Sequence, residues 1–105
     1  MMEPNPDYID KLAGGDQSFR SELINIIKTE LPQECDTYFS ALEREDREGL
    51  VAIVHKLKHK VSLLGMTEGY ALTASYEEAL RLGSWTGREE FEQLLKRMIT
   101  FIGSL

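Results

Sequence analysis

The segment from Leu50 to Gly65 constrains this chain more than any other part of it. At about 100° per residue, Leu50, Ile53, Val54, Leu57, Val61 and Leu64 fall within one apolar arc of a helix. A stripe of that width has to be covered by other elements, so the chain must supply further amphipathic partners. His55 points almost directly away from the arc. His59 and Ser62 share its outward face, with Lys58 beside them. A histidine needed for packing would sit inside the arc, so this one is available to solvent and to partners.

The partners are legible as further helices. Residues Tyr8 to Ala13 predict a short leading helix stopped by Gly14-Gly15. Asp16 is suited to cap the next element. Phe19, Leu23, Ile26 and Ile27 give it a stripe that Cys35, Tyr38, Phe39 and Leu42 resume beyond Pro32. The spacing predicts one long, kinked helix from Gln17 to about Arg44, with two helices meeting near Leu31 as the alternative. Asp46 can cap the helix that carries His55, and Gly65 suits its left-handed end. Thr67 opens a fourth, with Tyr70, Leu72, Tyr76, Ala79 and Leu80 available for burial and Gly83 at its end. Thr86 and Glu89 make a capping box ahead of Phe91, Leu94, Leu95, Met98 and Ile102, and Trp85 is expected to plug the end of the bundle. No strand pattern appears. Short connections favour antiparallel neighbours, so the fold class expected is all-α: an antiparallel up-down-up-down four-helix bundle with a short N-terminal helix.

A chain of 105 residues suffices for one domain, 1–105 with its core at about 8–102. The net charge of −6 argues against nucleic-acid binding, which usually relies on a basic stripe. Cys35 is the only cysteine, which excludes an internal disulfide and a CxxC metal site and leaves a small apolar filler. Residues Met1 to Asp10 lack the basic start and apolar core of a secretory signal, and no apolar run approaches the roughly 20 residues of a membrane span. The expectation is a soluble, cytoplasmic monomer without direct membrane contact, either free-standing or the cytoplasmic part of a larger membrane sensor kinase.

The outward face has its own chemistry. An imidazole ordinarily titrates near pH ~6.5, and its neutral form keeps a lone pair able to attack phosphorus. Lys58, at i+3 from His55, lies about 5–6 Å away between Cβ atoms and is suited to contact phosphate oxygens. Lys56 and Lys60 are expected to extend a local basic patch, and Val51, Ala52 and Met66 to add small or apolar docking surface. His55 and His59 at i and i+4 also offer a rival, a zinc site completed by Glu48 or by acidic residues near Glu77. Gly14-Gly15 is not followed by Gly-Lys-Ser/Thr, and no Ser-His-Asp or Cys-His arrangement suggests itself. An enzyme binding its own nucleotide or cofactor is therefore not expected.

Three pieces of sequence, in order, carry a family resemblance. Leu12-Ala13-Gly14-Gly15-Asp16 with Phe19-Arg20 comes first, then His55-Lys56-Leu57-Lys58 with Gly65 ten residues beyond the histidine, then Tyr76-Glu77. Together they resemble the histidine-containing phosphotransfer (HPt) family of two-component phosphorelays, from about Tyr8 to Ile102. The resemblance implies that His55 accepts and donates a phosphoryl group through Nε2. It implies that Lys58 steadies that group and that Glu77 approaches from the next helix; His59 and Ser62, on the same outward face as His55, are expected to neighbour the phosphate. It further implies a response-regulator receiver domain and a hybrid histidine kinase as partners, the receiver supplying the aspartate and Mg²⁺. One residue departs from the pattern: His59 stands where the family commonly has Gly. Two other readings remain beside phosphotransfer, a helical adaptor that binds a receiver-like partner without it and a His55/His59 metal-binding bundle.

Overall fold

Local capping sets where the two longest helices begin. In the structure, a computed structural model describing residues 2–105, the Asp16 carboxylate accepts from the Phe19 amide at 3.1 Å and the Asp46 carboxylate from the Gly49 amide at 2.9 Å. Each satisfies an amide that the first helical turn leaves unpaired. The elements are α1 (Asp7–Ala13), α2 (Gln17–Glu43), α3 (Arg47–Leu63), α4 (Thr67–Arg81) and α5 (Arg88–Ile102), with no strand among the described residues. α2 runs unbroken through Pro32, which sets aside two helices meeting near Leu31. Proline removes one amide donor there, but Leu31 and Cys35 on either side are buried and hold the segment in helical register.

The expected arc of α3 is the centre of the core. Leu50, Val54, Leu57, Val61 and Leu64 are fully buried and Ile53 nearly so. α3 packs between α2 and α4; α5 closes on α4 and α2, and α1 lies on α2. The α5 stripe of Phe91, Leu94, Leu95, Met98 and Ile102 is buried as its spacing predicts. Cys35 is also buried, and burial pushes its thiol up to about 11, in keeping with an inert filler.

Elsewhere the packing departs from the sequence reading. On α2 the inward positions are Ile24, Ile27, Leu31, Glu34, Cys35, Tyr38 and Ala41, while Phe19, Ile26 and Phe39 are exposed. The apolar residues on this helix cover more of its circumference than its neighbours can bury, and a partner on α3 draws Glu34 inward. Tyr70 on α4 is exposed for the same reason. The capping box does not form. α5 starts one residue later than a Thr86 cap requires, behind Gly87 at φ 93°, and Thr86 instead pairs with Ser84, its amide donating to Ser84 Oγ at 3.1 Å.

Trp85 is 40% exposed and does not plug the bundle. Its ring lies under the Arg47 guanidinium at 4.3 Å, with Arg88 at 5.5 Å, a cation–π arrangement. Arg47 also donates to the carbonyls of Leu80 (3.5 Å) and Ser84 (3.3 Å), tying the start of α3 to the end of α4. The interior beside this loop is already filled by Tyr38, Tyr76 and Phe91, whose rings meet at centroid distances of 5.0–6.4 Å. The two tyrosine hydroxyls share a hydrogen bond of 2.7 Å, and Tyr38 donates to Glu92 at 2.9 Å.

Because Leu57 is fully buried at the middle of α3, Leu57→Ala is expected to destabilise the fold by about 2–5 kcal/mol. Urea unfolding followed by far-UV circular dichroism checks this, and a loss under ~1 kcal/mol would show that α3 is not the centre of the core.

Candidate functional site

The middle of α3 turns its polar side toward α4 on one flank and α2 on the other. His55 stands between, with its side chain 51% exposed. From α4, the Glu77 carboxylate reaches under it with a side-chain exposure of only 2%. His55 Nδ1 lies 3.1 Å from Glu77 Oε2. An ionised carboxylate can only accept, so Nδ1 is the donor and carries the proton. In the neutral ring the lone pair is then on Nε2, the nitrogen that Glu77 does not engage.

Glu77 has two further partners. Lys58 Nζ is 2.9 Å from Oε1, and Arg81 Nη2 is 2.5 Å from Oε2. Burial pushes the Glu77 carboxyl up, but hydrogen bonds from Lys58 and His55, and the charges of Lys58 and Arg81, outweigh it. The carboxyl is held below its ordinary value. Arg81 also pairs with Glu78 at 3.5 Å, so two cations balance two carboxylates, and Lys58, on the histidine's own helix, is the cation suited to meet an approaching phosphoryl dianion. Arg81 was not singled out in the sequence. The signal for it was available in its i+4 spacing from Glu77, which places an arginine beside a carboxylate on one helix face.

Two residues expected on the docking face lie elsewhere. Lys60 is buried, its Nζ 2.8 Å from Glu30 Oε1 and 3.1 Å from Glu34 Oε2, both on α2. Burial pulls the Lys60 ammonium down, but the two carboxylates prevail and hold it above its ordinary value. The basic patch therefore does not exist as expected: Lys56 is exposed, while Lys58 and Lys60 are neutralised by carboxylates on opposite flanks. Met66 is fully buried. It precedes α4 and turns into the core, where it packs beside Gly69 and Val61. Val51 is half-buried and packs against the core, whereas Ala52, His59 and Ser62 are exposed.

Beyond Ser62 the face opens into a groove of about 640 Å³ whose walls include Tyr8, Lys11, Ser62, Gly65 and Tyr70. Its floor depends on a close approach. The Asn5 backbone amide donates to the Leu64 carbonyl at 2.9 Å, and Asn5 Oδ1 accepts from the Asp7 amide at 3.0 Å in a turn just ahead of α1. Gly65 adopts φ 72°, a left-handed conformation that favours glycine, and a Cβ there would meet Asn5 Oδ1 at 2.7 Å.

The rings of His55 and His59 stand edge to face with centroids 5.2 Å apart. Among the described residues, no group of three or more His, Cys, Asp or Glu side chains is placed to hold a metal ion. Nor is any helix long and apolar enough to cross a membrane.

Comparison with known proteins adds one match: the family model described as Hpt domain covers residues 22–103. Searches of curated proteins and of solved structures give no significant match.

Two outcomes test this geometry. The folded Glu77 carboxyl titrates below its unfolded value of about 4.5, so its contribution to stability is complete above that pH and is lost as pH falls through the folded value. Glu77→Gln should therefore cost about 1–3 kcal/mol near pH 7, with the gap in Tm between the two proteins closing as pH falls below the unfolded carboxyl's value and through the lower folded one; a gap that widens in acid would contradict the arrangement. Gly65→Ala should lower Tm and expose the Asn5 amide to faster hydrogen exchange, because strain at φ 72° and the clash with Asn5 act together.

Proposed function

The chain belongs to the Hpt domain family, whose members act in histidine phosphotransfer within two-component phosphorelays, and on that premise we propose that His55 is its phosphoryl carrier. In this reading His55 exchanges the group with the aspartate of a response-regulator receiver domain, which a hybrid histidine kinase feeds. The observation that carries the assignment is the 3.1 Å contact between His55 Nδ1 and Glu77.

That contact prepares Nε2. In the forward step the Nε2 lone pair forms the N–P bond while the P–O bond to the receiver's aspartate breaks, its electron pair leaving on the carboxylate. Positive charge develops on the imidazole during attack, and Glu77 meets it at the Nδ1 proton, as an orienting carboxylate does in a catalytic triad. Return of the phosphoryl group reverses each event. Lys58 holds Glu77 through a 2.9 Å ion pair and has ammonium protons to offer the phosphoryl oxygens. Arg81 holds the same carboxylate from its own helix. The receiver brings the Mg²⁺, and positioning with charge stabilisation carries the rest, as phosphoryl transfer requires.

Docking in this reading uses the exposed surface around His55, with Ala52 and Lys56 on one side and the groove beyond Ser62 on the other. Short links between the four longer helices favour the antiparallel up-down-up-down order. The chain would act as a soluble monomer that binds no cofactor of its own. A helical adaptor without phosphotransfer would need neither the Nδ1 contact nor the free Nε2.

Incubation with a phosphorylated receiver, or with a hybrid kinase and ATP, should give an acid-labile phosphate that His55→Gln abolishes. Label that survives this change and disappears with His59→Gln would overturn the assignment. Glu77→Gln should slow transfer by about 10–100-fold in stopped-flow or quench-flow assays without preventing receiver binding.

A further inference from the structure

The nitrogen donors beside His55 are not equally free. Lys58 lies 2.9 Å from Glu77 Oε1 and Arg81 2.5 Å from Glu77 Oε2. His59, one helical turn further along α3, makes no hydrogen bond or ion pair among the described residues, and its ring packs against that of His55. Helical side chains lean toward the helix N-terminus, so residue i+4 leans over residue i. The edge-to-face arrangement at 5.2 Å is that lean. With Nδ1 engaged by Glu77, Nε2 is the ring nitrogen left free, and the neighbouring ring in contact with His55 is the exposed His59.

We propose that His59 donates a ring N–H to the phosphoryl group on His55 Nε2 and thereby sets how long the phosphorylated state lasts. The inference rests on His55 being the phosphoryl carrier. A neutral imidazole always has one N–H, so the contact needs no change of charge on His59. Its acceptor is charged, which makes the bond one of the stronger kind. In a loose transition state the phosphoryl group leaves as a metaphosphate-like species. Its oxygens then carry less charge than in the bound dianion. A donor to those oxygens therefore holds the bound state more firmly than the transition state, and hydrolysis slows.

The test loads the purified chain with phosphoramidate, which transfers its phosphoryl group to Nε2 with loss of ammonia, and follows the phosphohistidine by ³¹P NMR. His59→Phe keeps a flat ring against His55 without the N–H, and His59→Gln keeps an N–H donor without the ring. His59 is exposed, so neither change should disturb the core, and far-UV circular dichroism confirms this for each variant. Expected is a lifetime about 3–10 times shorter for His59→Phe, with His59→Gln within about twofold of the parent protein. An unchanged lifetime in His59→Phe overturns the inference while leaving His55 as the carrier. Equal shortening in both variants also overturns it, by assigning the effect to the ring and not to the donor. Failure of the parent protein to take any label overturns the assignment of His55, and this inference with it.

Discussion

The buried carboxylate of Glu77 joins the two helices that make the site. It receives His55 and Lys58 from α3 and Arg81 from α4, with only 2% of its side chain exposed. A lone carboxylate at that depth would be costly to leave ionised; three donors make the position tenable. The same bonds would decide the proposed chemistry above it, because the acceptor under Nδ1 leaves the lone pair of the neutral ring on Nε2. Orientation, tautomer and local charge at His55 thus all rest on one side chain from the neighbouring helix.

A second polar clamp holds the opposite flank of α3. Lys60 reaches Glu30 and Glu34 on α2, while His55 and Lys58 reach Glu77 on α4. Between the clamps lies the apolar arc from Leu50 to Leu64, closed to solvent. Hydrophobic burial alone tolerates some rotation of a helix about its axis, since it is non-directional. Paired charges on both flanks resist that rotation, and so hold His55 at the top of the face. Removing one partner from either clamp would leave charge without compensation in a poorly hydrated place.

The parts of this arrangement that were legible in the sequence are those that depend on period. The arc of α3, the outward direction of His55, the stripe of α5 and the caps at Asp16 and Asp46 follow from spacing and local hydrogen bonding. Glu77 was reached as a partner of His55 in phosphotransfer only through the family resemblance, because nothing within α4 says which α3 residue it will face. Lys60 misled for a related reason. A lysine on a flank reads as solvated until a specific pair of carboxylates appears on a helix 26 to 30 residues earlier. Met66 was misplaced because it lies in the turn before α4, where helical period no longer applies. Phe19, Ile26 and Phe39 show the limit of apolar content as a guide: a helix can carry more apolar surface than its neighbours have area to cover.

Trp85 gives the fold an optical consequence. It is the only tryptophan in the chain, and its indole lies against Arg47 and Arg88 where the start of α3 meets the loop between α4 and α5. Arg47 and His55 are eight residues apart on the same helix, which is about 12 Å of axial rise. Emission from this indole therefore reads whether that junction is assembled, while staying clear of events at the imidazole face. A single native fluorophore separates loss of the scaffold from loss of chemistry, without a label added to either.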